Sequence, residues 1–334
     1  MINLLLRLKE VIALGSLLVL YLIPGNSSNL SAESSRWHKL AEEGHSHAPP
    51  YMSAMFFDSQ DGVAITPVSI KKTADSGQSW STLGGDDDDN LFLDTMAFQN
   101  KQTGLILGKK DQTPIILKTT NKGENWRKMQ PNKESLAKLH KGFTKFFDSC
   151  FDDKGGMWAV GENEIMRIET LDNGWNISNI LKTDSPLFSV ACAGNEEVWA
   201  VGEKNEILHY SNNNWERKII ANNSFFTKIK ITGKDLWLLG GLPSQGFVLR
   251  SQDNGQTWED KSPENSNTLF DLYLKEKQGW LVGAGGAIYH TADNGNSWSR
   301  ENSSTESDLI NIFFLDARHG WITGDKSTVL KYEN

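Results

Sequence analysis

The chain has 334 residues, a formal net charge of −8, 38% hydrophobic and 10% aromatic content, and only two cysteines. An acidic balance argues against nucleic acid or anionic lipid as a partner, and the apolar content is enough for a sizeable core. Length alone suggests two domains, but all-β folds of this size form one, and 29 glycines with twelve tryptophans point to tight turns around a Trp-rich core.

Residues 1–31 differ from the rest. Arg7 and Lys9 precede the apolar run 11–23, which is too short for a comfortable membrane span and fits the apolar segment of a secretory signal. Pro24 and Gly25 break the run, and small residues follow, with cleavage expected after Ser27 or Ala32. The alternative is an uncleaved anchor. No cysteine lies nearby to carry a lipid.

Residues 36–334 read as one repeat array. The segment 279–298, GWLVGAGGAIYHTADNGNSW, has two halves: a short apolar strand ending at glycine, then a strand running into Ser/Thr-x-Asp-x-Gly-x-x-Trp. In that second half the Asp accepts backbone amides inside a tight turn and the Gly supplies positive φ. Trp then covers the turn. This Asp-box clamp recurs with Asp75, Gly77 and Trp80; as TTNKGENW at 119–126; with Asp253, Gly255 and Trp258; and with Asp293, Gly295 and Trp298. Shortened copies end at Trp175 and Trp215, where shorter, differently bonded turns are expected. The strand half recurs around Trp158, Trp199, Trp237, Trp280 and Trp321, with Val63 and Leu105 in the matching places of the first two units.

The seven turn tryptophans, starting at Trp37, are spaced 43, 46, 49, 40, 43 and 40 residues apart. That is the period of a four-stranded blade. The expected fold is all-β, a seven-bladed β-propeller. The last unit has three strands and no clamp, whereas Trp37 is a clamp Trp without strands before it. Residues 36–40 should therefore be the outermost strand of blade seven, closing the ring and removing an open edge. A buried turn Trp such as Trp298 is expected to cost about 3–5 kcal/mol when replaced by Ala.

Two columns are candidate sites. One residue before each clamp stands a base: Lys72, Lys118, Arg167, His209, Arg250, His290 and Lys331. These could dock an acidic partner; alternatively they are a solvated face, or pair with carboxylates such as Glu164 and Glu206. The starts of the innermost strands carry Ser53, Asp94, Asp148, Ser189, Asp271 and Asn311, with Thr227 and Lys228 competing for the place in blade five. They would meet a ligand or cation at a channel mouth, or simply line a hydrated channel. Residues 86–89 are four aspartates, read as a solvated loop in place of a calcium site. His45 and His47 lack obvious metal partners. Residues 133–145 form a basic insertion, expected to contain a short helix and to protrude as a contact. Cys150 and Cys192 fall one position out of register on adjacent innermost strands, hence on opposite faces of their sheets. Two buried free thiols are the expectation. No cofactor or metal is expected.

The pattern GWLVGAGGAIYHTADNGNSW, with its partial copies, resembles the repeat of the photosystem II stability and assembly factors. The resemblance covers residues 36–334. It implies a seven-bladed propeller in the thylakoid lumen or periplasm that binds newly made reaction-centre subunits without catalysis. In that family an arginine-rich surface is implicated; here eight arginines are spread over the chain. The lipid-bearing cysteine of the cyanobacterial form is also missing. The expected function is a secreted or periplasmic, monomeric protein-binding module. A membrane protein is among the expected partners, and the chain itself meets the membrane only through an uncleaved residues 1–31.

The alternative is an Asp-box glycoside hydrolase or carbohydrate-binding propeller. A sialidase needs three clustered arginines, a tyrosine and an acid on inner strands. Arg127, Arg217 and Arg300 instead follow turn tryptophans, Arg167 and Arg250 sit on third strands, and no Arg-Ile-Pro segment occurs. Paired carboxylates could serve another glycosidase, but Asp94, Asp148 and Asp271 are only loosely placed by sequence.

Overall fold

A computed structural model describes residues 36–41, 49–84, 90–111, 113–138, 145–172, 174–194, 196–220, 225–242 and 244–333. Expectations for residues 1–31, for His45 and His47, and for aspartates 86–89 lie outside these. Seven four-stranded antiparallel sheets form seven blades. Blade one runs outward from Ser53–Phe56 through Gly62–Ile65 and Ile70–Thr73 to Ser81–Gly84. The innermost strands of blades two to six are Leu91–Phe98, Phe146–Phe151, Leu187–Cys192, Phe226–Thr232 and Leu269–Lys275. Blade seven takes Leu309–Phe314, Gly320–Gly324 and Val329–Tyr332 from the end of the chain, and Trp37–Ala41 from its beginning. Trp37 pairs with Tyr332 and His38 with Lys331. The closing strand is seated by its tryptophan, which is 1% exposed and donates Nε1 to Glu301 of blade six at 3.1 Å.

The clamp bonds follow from its residue types. In blade six Thr291 Oγ1 donates to Asp293 Oδ1 at 2.7 Å and accepts from the Gly295 amide at 2.9 Å. The same carboxylate accepts the Ser297 amide at 2.9 Å and its hydroxyl at 2.6 Å. Blades one and five repeat this set. In blade two Asn121 replaces Asp and accepts the Asn125 amide. The shortened copies are tight hairpins: Ser211 pairs with Asn214 across Asn212 and Asn213, both at positive φ, and Leu171 pairs with Gly174. Two successive positive φ values suit the twist of a two-residue hairpin.

Glycine is needed in the clamp twice over. Gly295 has φ of 75°, and a Cβ there would stand 2.6 Å from Cη2 of Trp237 in blade five. Gly295→Ala is expected to cost about 2 kcal/mol in urea melts, from left-handed backbone and this clash. An unchanged midpoint would show that the close approach is soft. All five strand tryptophans, Trp158, Trp199, Trp237, Trp280 and Trp321, are buried at 0–4% exposed, and of the turn column Trp37 and Trp175 are buried as deeply, at 1%. Trp80, Trp126, Trp215, Trp258 and Trp298 are only half-buried. The large effect expected from sequence at Trp298 is therefore expected instead at the fully buried tryptophans.

The cysteines are not free. Cys150 and Cys192 form a disulfide with Cα atoms 5.8 Å apart. The register offset is real, since Cys150 faces Trp158 and Cys192 faces Val198. Its consequence runs the other way: neighbouring blades stack face to face, so side chains on opposite faces of adjacent sheets are the ones that meet. Closing a loop of separation 42 stabilises by about 4 kcal/mol in the chain-entropy account.

The basic insertion does not simply protrude. Its helix, α1 (Lys133–Lys138), sits beside the outermost strand of blade three, Gly174–Lys182, and Ser135 Oγ accepts the Ile177 amide at 2.9 Å. Residues 139–144 of the insertion lie outside the described set. No helix among the described residues is long and apolar enough to cross a membrane.

Candidate functional site

Each member of the basic column lies directly across from the strand column. Lys72 pairs with Val63, Lys118 with Leu105, and Arg167, His209, Arg250, His290 and Lys331 with the five strand tryptophans in turn. A flat cation or imidazole against an indole face is a favourable pair. His209 stacks on Trp199 with centroids 3.7 Å apart, and the Arg250 guanidinium lies 5.1 Å from the centre of Trp237. Several bases then meet a group at the first hairpin of their own blade. Arg167 Nε donates to Asp152 at 2.6 Å, Arg250 Nε donates to Asp235 at 2.9 Å, and His290 Nε2 lies 2.7 Å from Gln278. Lys72 instead reaches Glu124 of blade two, and Lys118 reaches Thr170 of blade three at 3.1 Å. Burial lowers the pKa of both His209 and His290 from the ordinary histidine value. Glu164 and Glu206 pair elsewhere, with Lys182 and Arg217.

Asp152 and Asp235 were missed in the sequence. The available signal was their place, in the hairpin that precedes the strand tryptophan, where a base across the ladder needs an acid.

The inner column connects the blades. Its side chains reach to the backbone of the next innermost strand all the way around. Ser53 Oγ donates to Met96 O at 3.1 Å, Asp94 accepts the Phe146 amide at 3.3 Å, and Asp148 accepts the Val190 amide at 3.2 Å. Ser189 Oγ accepts the Ile229 amide at 3.3 Å, Thr227 Oγ1 donates to Leu269 O, Asp271 accepts the Ile312 amide at 3.1 Å, and Asn311 donates to Met52 O at 3.1 Å. All seven junctions are crossed. The blade-five ambiguity resolves into two roles: Thr227 makes the crossing bond, and Lys228 reaches past blade four to Asp148 at 2.8 Å. Lys230 pairs with Asp271 at 3.0 Å. Asp94 and Thr227 are each one residue off the others in register. The same register shift occurs here in blades two to seven; Asp94 and Thr227 are the bulged residues of their strands, and Thr95 and Lys228 match Asp148.

Asp94 is 5% exposed, and burial pushes its carboxyl from 3.8 up to about 6 against the pull of the Phe146 amide and Lys145. A folded value above the unfolded one means that its stabilisation is complete below pH 3.8 and is lost as pH rises through about 6. Near pH 7 the ionised group costs up to about 3 kcal/mol. Asp94→Asn keeps an acceptor for Phe146, so it should raise stability by up to that amount near pH 7 and by nothing near pH 4. Equal effects at both values, in urea melts, would contradict this. The clamp aspartates behave oppositely: hydroxyl donors, Thr257 and Ser297 first, hold Asp253 and Asp293 down at about 2.

Clefts open between blades on the clamp face. One, of about 520 Å³, is lined by Trp158, Arg167, Asn179, Tyr210 and Asn213 among others. Its polar groups are paired with one another: Asn179 donates to Tyr210 Oη, which donates to Asn213. No group of three or more His, Cys, Asp or Glu able to hold a metal occurs among the described residues. Arg127, Arg217 and Arg300 stand on outermost strands and Arg167 and Arg250 on third strands, with none on the described innermost strands.

Residues 260–333 match the family model described as photosynthesis system II assembly factor YCF48. The chain is 22% identical over 299 residues to photosystem II stability/assembly factor HCF136 of Arabidopsis thaliana, covering 80% of this chain and 71% of that one. The chain is thus similar to photosystem II assembly factors, with the family model matching its last two blades. It is also 25% identical over 163 residues to photosystem II assembly lipoprotein Ycf48 of Picosynechococcus sp., spanning 45% of this chain and under half, 44%, of that protein. A solved structure of YCF48 bound to D1 peptide superposes with a TM-score of 0.69 at 21% identity, over 91% of this chain and 96% of that one. YCF48 from Cyanidioschyzon merolae gives 0.66 at 15% identity, over 89% and 98%. At these identities the two structures speak to the fold.

Proposed function

We propose that this chain is an extracytoplasmic propeller that binds a protein partner and performs no catalysis, in the manner of a membrane-complex assembly factor. The observation that carries the reading is similarity to a stability/assembly factor across 80% of the chain, joined to the fold of a protein solved with a bound peptide. Two features of the site support it. The inner carboxylates are engaged with neighbouring backbone, and arginines stand away from the described innermost strands, where a sialidase would need three. The Cys150–Cys192 bond suits an oxidising compartment, and residues 1–31 read as a secretory signal. In a photosynthetic organism the compartment would be the thylakoid lumen and the partner a newly made photosystem subunit.

A panel of aryl glycosides tests the non-catalytic half. No turnover above buffer is expected. Saturable turnover that Asp148→Asn abolishes would overturn it and favour the glycosidase reading.

A further inference from the structure

Four of the seven junctions share one rim contact, in which the clamp of a blade rests on the strand-column residue of the blade before it. Trp321 Nε1 donates to Ser76 O at 2.8 Å. Gly123 packs on Val63, Gly255 on Trp199 and Gly295 on Trp237, each close enough to exclude a Cβ. The other three junctions lack an intact clamp, and each has a fastener of its own.

Between blades six and seven the closing strand serves: Trp37 meets Trp280 edge to face, and Arg36 and Trp37 both reach Glu301. Between blades two and three the chain after blade two runs along the outer strand of blade three. The Trp175 amide donates to Gln130 O at 3.0 Å, the Asn132 amide donates to Trp175 O at 3.0 Å, and Trp175 Nε1 donates to Met129 O at 3.3 Å. Between blades three and four no glycine-bearing clamp meets Trp158; the rings of Tyr210 and Trp215 lie against it at 5.0 and 5.6 Å, with Asn179 bonded to Tyr210 and Lys154 paired with Glu196 across the junction. The fastener added there is the Cys150–Cys192 bond, joining the two innermost strands.

We propose that the junction between blades three and four is a redox-conditional seam. With the disulfide closed, the ring is continuous. Exchange with a dithiol of the thioredoxin class delivers two electrons and two protons to the pair, leaving two thiols here and a disulfide on the reductant. Both cysteines are half-buried, so the bond is not sealed in the core. Reduction then loosens this one junction, while the clamped junctions hold. An array of blades in which each contacts its neighbours can open at one interface without melting the others.

Hydrogen exchange of the full chain, with and without dithiothreitol, reads this directly. Amides of Met157–Gly161 and Val198–Gly202 should exchange on the order of tenfold faster when reduced. Those of Gln278–Gly283 and Gly320–Gly324 should not change. No change at the seam, or equal acceleration in every blade, would overturn the proposal. A second variant replaces residues 211–215 with the blade-five clamp SQDNGQTW. It should suppress the reductant effect at the seam; opening as fast as the parent would show that the disulfide does not stand in for the clamp.

Discussion

Removing residues 32–42 is expected to lower the melting temperature by roughly 10 °C or more. The strand Trp37–Ala41 supplies the outer edge of blade seven and four backbone pairings with Val329–Tyr332. Losing the fully buried Trp37 alone is worth about 3–5 kcal/mol. In a domain of this size each kcal/mol moves the midpoint by roughly 2–4 °C. The deletion also leaves Tyr332, Phe314 and Trp280 facing water, since all three rings contact Trp37. Differential scanning calorimetry would detect the shift. An unchanged melt would mean that the ring does not depend on its first strand.

Trp237→Ala should cost about 3–5 kcal/mol in equilibrium unfolding, clearly more than Trp298→Ala. Trp237 is 0% exposed, lies under the Arg250 guanidinium, and receives Gly295 of the next blade against its ring. Its loss leaves a cavity at a junction between blades and strips Arg250 of its packing surface. Trp298 is half-buried and covers its own turn, so neighbouring structure can collapse onto less. If Trp298→Ala proves the more damaging, the inner and outer tryptophan columns have been assigned the wrong roles.

The blade count, the closing strand and the clamp were legible because each follows from a local rule. Asp, Gly and Trp at fixed offsets dictate a turn, and a Trp37 without strands before it dictates closure. Relations between blades were harder. Cys150 and Cys192 were placed in the right register, yet facing sheets turn opposite faces into one interface, so the offset that suggested separation is what joins them. Asp94 was aligned by chemistry with Asp148, but it occupies the bulge that recurs at this point in blades two to seven, and Thr95 holds the register of Asp148. The basic column was visible, but not what it lies on. Its pairing with the strand tryptophans emerges only when the second and third strands are laid side by side. Asp148, Ser189 and Asp271 were recognised as inner-strand polar groups, and the geometry engages them with the next blade's backbone.

On the function proposed above, the repeat's Asp, Trp and basic columns build a rigid scaffold whose work is to hold a protein partner. Affinity capture with the mature protein from its native envelope, after crosslinking, tests it most directly. Reproducible recovery of a specific membrane protein is expected, lost when the closing strand 36–41 is deleted. Recovery of oligosaccharide in place of protein would contradict it.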